Sequence, residues 1–161
     1  MLKRSYLLLI SLSLLLLSCG KVDVFEKNVA IPGQSWKGDF KPLIEFDVTD
    51  TVSLYRLQVV LRHTDAYAYK NIWLNIGYQA PGDSMIFNRW NITLANDNAG
   101  WLGKGMDDIF EHRVLFGSTP GSTAGRFPKP GKYKFSLQQI MRDDPLEHVL
   151  NGGVRVEKVQ Q

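Results

Sequence analysis

The chain has 161 residues, 44% apolar and 22% charged, with a formal net charge of +3. These fractions exclude wholesale disorder, and the length points to one domain. A single cysteine excludes an intrachain disulfide framework and any zinc site built from several thiolates.

Lys3 and Arg4 precede a run of twelve residues, Tyr6 to Leu17, broken only by Ser11 and Ser13. A helix that spans the hydrocarbon needs about 20 apolar residues, so this run has the length of a secretory h-region instead. It ends in Leu16-Leu17-Ser18-Cys19, an order that resembles the lipobox of bacterial lipoproteins. The expectation is cleavage before Cys19, with acyl chains of the palmitate class on the new terminus. One acyl chain binds a bilayer only marginally and several hold firmly, so the mature protein is expected to be anchored to a membrane without spanning it. Removal of Lys3 and Arg4 lowers the basic count from 19 to 17 against 16 acids. A formal +1 carries no nucleic-acid footprint. Gly20 stands where an acidic residue would signal inner-membrane retention, which favours the outer membrane.

Residues 19–40 read as a lipidated N-terminus and tether with one early strand around Val22–Phe25, and residues 41–161 as the folded domain. Period-two alternation begins with Ile44, Phe46 and Val48, and continues in Tyr55, Leu57, Val59 and Leu61, then in Ile72, Leu74, Ile76 and Tyr78. Pro81-Gly82-Asp83-Ser84 marks a turn before a strand over Phe87–Leu94, and Asn96 to Gly105 has loop composition. Ile109–Phe116 returns to β character. Residues 117–131 form a long connection, and further strands centre on Tyr133, Phe135 and Leu137 and on Val154 and Val156. Asp144 followed by Pro145 predicts one helical turn through Leu150. Seven or eight strands in this space predict an all-β antiparallel sandwich, jelly-roll-like or immunoglobulin-like.

Few residue patterns in the chain point to chemistry. His63, His112 and His148 lack paired-ligand spacing and read as surface or turn residues, and no metal ligand set or cofactor is expected. Asp107-Asp108 and Asp143-Asp144 lie outside any calcium-loop pattern. Gly103-Lys104 lacks the flanking residues of a phosphate loop, no nucleophile elbow occurs, and no catalytic residue is assigned. Trp73 and Trp90 sit within strand patterns and are expected in the core. Trp101, in a glycine-rich loop, is either a plug for the sandwich end or an interface anchor. Exposed co-planar aromatics would instead make a glycan-binding face. Asp50-Thr51-Val52 and Asp83-Ser84-Met85 fit a short O-glycosylation pattern, with Thr51 and Ser84 as acceptors.

Four segments, Tyr69 to Leu74, Gly100 to Gly105 with Asp108-Ile109, Tyr133 to Phe135 with Gln139 to Arg142, and Gly153 to Lys158, together with the lipobox and the length, resemble the gliding-motility lipoprotein GldH family of Bacteroidota. The resemblance implies a non-catalytic envelope lipoprotein of the gliding and type IX secretion machinery, with other envelope lipoproteins as partners. Trp101, Lys104 and Arg142, which lie in these segments, are the expected partner-binding residues.

Overall fold

The computed structural model describes residues 24–116 and 124–159. The leader, Cys19 and residues 117–123 of the long connection lie outside the described residues. The strands are β1 (Val24–Ala30), β2 (Ser35–Trp36), β3 (Leu43–Val48), β4 (Tyr55–Thr64), β5 (Asn71–Gln79) and β6 (Ile86–Thr93). Three short pieces follow, β7 (Ala95–Asn96), β8 (Gly100–Trp101) and β9 (Lys104–Met106), and then β10 (Ile109–Leu115), β11 (Gly131–Gln139), β12 (Leu146–Glu147) and β13 (Val149–Lys158).

One sheet runs β1-β13-β4-β10-β9 and the other β3-β11-β5-β6, with antiparallel neighbours throughout. Taken as eight long strands in chain order, the sheets read one-eight-three-six and two-seven-four-five, the strand order of a jelly roll. Of the two sandwiches that the sequence leaves open, the pairing of the first strand with the last selects this one.

Alternation decides which side chains meet between the sheets. Ile44, Phe46, Leu61, Ile72, Leu74, Ile76, Tyr133, Phe135 and Leu137 point inward and are buried. Phe46 lies at the middle of an aromatic cluster, with ring centroids 5.3 Å from Phe25, 5.4 Å from Phe127 and 5.8 Å from both Tyr133 and Phe135. The outer face of the first sheet is closed by ion pairs instead. Arg62 meets Glu111 at 2.5 Å, Glu111 meets Arg113 at 2.8 Å, Arg113 meets Glu26 at 3.4 Å and Glu26 meets Arg155 at 2.8 Å. Burial works to raise the Glu26 pKa, but the hydrogen bonds from Arg155 and Asn28 and the nearby guanidinium charges outweigh it and hold it below the usual carboxylate range. Gly153 gives Asn28 room to lie across this face, since a Cβ there would sit 1.9 Å from the Asn28 Oδ1 and 2.7 Å from the Lys27 carbonyl.

Three expectations are corrected. Residues 24–40 are not a tether: β1 is paired over its whole length with β13, and Trp36 is fully buried. The segment after Asp144 is not helical, because Leu146 and Glu147 pair with Trp36 and Ser35 while the Asp144 Oδ1 accepts the Gly38 N–H at 2.8 Å. Asp144 therefore caps a loop across the sandwich rather than a helix of its own. Trp73 is 42% exposed. Its neighbours Ile72 and Leu74 take the inward positions of β5, so alternation turns Trp73 to the outer face. Trp90 does point inward, half-buried, 5.5 Å from the Phe116 ring.

Candidate functional site

The end of the sandwich where β4 finishes and β10 begins holds an unexpected pair. Phe110 is registered opposite His63, and His112 opposite Leu61. The two histidines are therefore diagonal neighbours on the inward face of adjacent strands, within side-chain reach. Their Nε2 atoms are 2.9 Å apart, and the residues are 2% and 4% exposed. The surface or turn reading is thus overturned for His63 and His112, while His148 is exposed in the turn before β13.

The hydrogen bonds assign the protons. The His63 Nδ1 lies 2.7 Å from the Thr64 carbonyl oxygen, which can only accept, so that nitrogen carries hydrogen. A neutral His63 then has a bare Nε2, and His112 must donate its Nε2–H to it. Burial keeps both imidazoles neutral. It lowers the His63 pKa against an opposing hydrogen bond to Thr64, and burial with the neighbouring His63 lowers that of His112 to about 4.

An aromatic wall encloses the pair. Trp101 packs on His63 with ring centroids 4.4 Å apart, and Tyr67 and Phe110 approach the same imidazole at 5.1 and 5.8 Å. Tyr67 donates its hydroxyl to the Asn71 carbonyl at 3.0 Å, and burial pushes its pKa well above the usual phenol range. Gly103 explains why the loop must be glycine-rich. A Cβ at that position would sit 2.7 Å from the Glu111 carbonyl oxygen and 2.8 Å from the His112 Nε2. Gly103→Ala is expected to lift the loop off the imidazoles and cost about 1–3 kcal/mol, typical of overpacking. Chemical denaturation would measure it, and an unchanged midpoint would contradict the packing described here.

The sequence-derived residues fall at this same end. Trp101 is half-buried and Lys104 exposed. Exposed Arg142 lies beside Tyr69, which donates its hydroxyl to Asp143 and stacks edge-on against Tyr67. Around them Leu102, Met106 and Ile109 are 49%, 78% and 38% exposed. Thr51 and Ser84 lie in turns at the opposite end, Thr51 half-buried and Ser84 exposed. Asp50 there accepts the Lys158 ammonium, the Ser53 hydroxyl and the Ser53 and Val52 N–H groups, which hold its carboxyl well below the usual range. Of the four tryptophans only Trp73 is exposed, so they do not supply the two co-planar platforms that a glycan face needs. Among the described residues no three His, Cys, Asp or Glu side chains gather around a common point.

The sequence profile of the GldH lipoprotein family matches residues 23–156. The chain belongs to the GldH lipoprotein family. This family member is 28% identical to the gliding motility lipoprotein GldH homolog of Christiangramia forsetii, over 88% of this chain and 87% of that one. It is 27% identical to the gliding motility lipoprotein GldH of Flavobacterium johnsoniae, over 97% of both chains. Among solved structures it overlaps the insecticidal delta-endotoxin Cry8Ea1 of Bacillus thuringiensis at a TM-score of 0.40 and 12% identity, covering 83% of this chain and 20% of that one. It overlaps the infectious bursal disease virus VP2 subviral particle at 0.37 and 10% identity, over 88% and 34%. The family segments now have physical roles: Gly100 to Gly105 covers the histidine pair, and Gly153 to Lys158 carries Arg155 of the ion-pair face.

Proposed function

We propose that this chain is a cell-envelope lipoprotein, cleaved after Ser18 and acylated on Cys19, that serves the gliding and type IX secretion machinery of Bacteroidota as a non-catalytic accessory or assembly component on the outer membrane. The observation that carries the reading is the near full-length similarity to relatives named gliding motility lipoproteins, one of them over 97% of both chains. The lipobox supplies the anchor, and Gly20 after the cysteine supports the outer membrane. Trp101, Lys104 and Arg142, with exposed Leu102 and Met106 beside them, offer the mixed aromatic, cationic and apolar character of a protein interface.

Deleting the coding sequence from its own bacterium is expected to abolish surface spreading or the export of type IX cargo. The intact chain should restore it, and Cys19→Ala should not, because the protein then leaves the membrane fraction. Spreading and export both unchanged in the deletion strain would refute the reading. Restoration by Cys19→Ala would refute the anchor alone.

A further inference from the structure

The path of the chain into β1 gives the domain an orientation. Val24 is registered opposite Glu157 on β13, and Glu157 opposite Arg56 at the start of β4. The chain therefore enters at the end of the sandwich built from the starts of β4, β6 and β11 and the finishes of β3, β5 and β13. Cys19 precedes Val24 by five residues, a reach of about 18 Å even when fully extended. The histidine end lies a full β4 strand farther on, roughly 33 Å for ten residues. A lipid on Cys19 thus keeps the entry end at the bilayer and leaves the histidine end beyond the leash.

The entry end is also equipped for lipid. Val52, at the tip of the connection between β3 and β4, is 78% exposed. Ile86 and Phe87, which open β6, are 57% and 58% exposed. Gly77 makes the second of these places: a Cβ there would lie 2.8 Å from the Met85 Sδ and 2.9 Å from the Phe87 Cε1, so both side chains spread across it. β3 and β6 are the two edges of their sheet, three strand spacings or about 14 Å apart. Val52 and Ile86 therefore stand at separate points of this end, and Phe87 lies across the outer face of β5 beside it. Charge fits the same occupant. Asp50 and Asp83 are neutralised within the protein by Lys158 and Lys129. Exposed Arg126 donates its Nε–H to the Val52 carbonyl at 2.9 Å, which holds a guanidinium beside the apolar tip, and Arg56 is exposed nearby. Apolar tips flanked by cations suit the boundary between acyl chains and lipid phosphates.

We infer that this end of the sandwich is a lipid-docking surface: Val52, Ile86 and Phe87 dip into the membrane that carries the Cys19 anchor, Arg56 and Arg126 meet its phosphates, and the Trp101 and Arg142 end faces away toward protein partners. The inference rests on the lipid-anchor reading above. It assigns to the anchored domain a fixed posture in place of free rotation on a leash.

The test uses the full lipidated chain in phosphatidylethanolamine and phosphatidylglycerol vesicles. Spin labels are attached in turn through Val52→Cys and Phe87→Cys at the entry end, and through Leu102→Cys and Met106→Cys at the far end, all exposed positions. Flotation of the vesicles reads the anchor, and collision with dissolved oxygen against an aqueous nickel chelate reads the depth of each label. Labels at 52 and 87 should lose nickel accessibility several-fold and gain oxygen accessibility, while those at 102 and 106 stay as open as free label. Equal nickel accessibility at all four positions in floating vesicles would overturn the docking surface and leave the anchor standing. Protein that does not float would overturn the anchor, and the docking surface with it. Labels at 52 and 87 that are open to nickel in vesicles but shielded in native membranes would overturn the lipid assignment in favour of a protein interface.

Discussion

Trp36→Ala is expected to destabilise the domain by about 3–5 kcal/mol, the usual cost of emptying a fully buried aromatic position. Trp36 is 0% exposed and its indole rests over Gly152, where a Cβ would lie 3.4 Å from the ring. Its Nε1–H donates to the Phe40 carbonyl at 2.9 Å, and its own carbonyl accepts the Gln139 side chain at 3.2 Å. Truncation opens a cavity and strands the Phe40 acceptor together. At the few degrees per kcal/mol usual for a domain of this size, the melting temperature should fall by roughly 10–20 °C. Trp73→Ala, which removes an exposed ring, should change stability by less than about 1 kcal/mol. Thermal unfolding of the two variants provides the comparison. If Trp36→Ala melts within a few degrees of the parent, residues 32–40 are an appendage and the tether reading returns.

The contrast between those tryptophans marks what was legible in the sequence. Alternation is clean in β3 and in the first half of β5, and the period of two selects the inward residues of β4 and β11 as well, although Val60 and Ser136 are also buried on the opposite face of those strands. The same period sends Trp73 outward once Ile72 and Leu74 are inward, so residue type misled where spacing did not. β1 was obscured because it is an edge strand. Glu26 and Asn28 occupy its outer face and Lys27 is exposed at its rim, the charge that edges use to avoid sticking. The ion pair that holds it, Arg155 to Glu26, spans 129 residues. The choice of jelly roll over immunoglobulin order likewise depends on that first-to-last pairing, which no local pattern encodes. The histidine pair was hidden for the same reason. Its members lie 49 residues apart and meet only through the register of β4 with β10. Gly103 was visible as part of a family segment, but its purpose becomes clear only beside the Glu111 carbonyl and the His112 ring.

Mild acid should weaken the fold through that pair. Both imidazoles are held neutral by burial, His112 down to about 4 from an ordinary value of 6.5. Above 6.5 neither the folded nor the unfolded chain protonates these groups, and their neutral hydrogen bond contributes in full. As the pH falls below 6.5 the unfolded chain takes up protons that the folded chain refuses, so stability drops until the folded groups titrate as well. For His112 alone the loss between pH 6.5 and 4 is on the order of 3 kcal/mol, because each tenfold difference in proton affinity between the two states is worth about 1.4 kcal/mol. The groups packed around the pair, Tyr67, Trp101, Phe110 and the Thr64 and Glu111 carbonyls, carry no charge that titrates in this window. The carboxylates with lowered values, Glu26, Glu45, Asp50 and Asp97, release their stabilisation as the pH falls below about 4.5, where the unfolded acids protonate. The two windows are therefore separable. His112→Gln keeps an N–H directed at the His63 Nε2 and removes the more depressed titration. Denaturant midpoints measured in steps from neutral pH down to 5 should decline steeply for the parent and about half as steeply for the variant. A parent whose stability is flat across that window, or a variant that declines in parallel, would show that the imidazoles are solvated and the enclosed pair does not form.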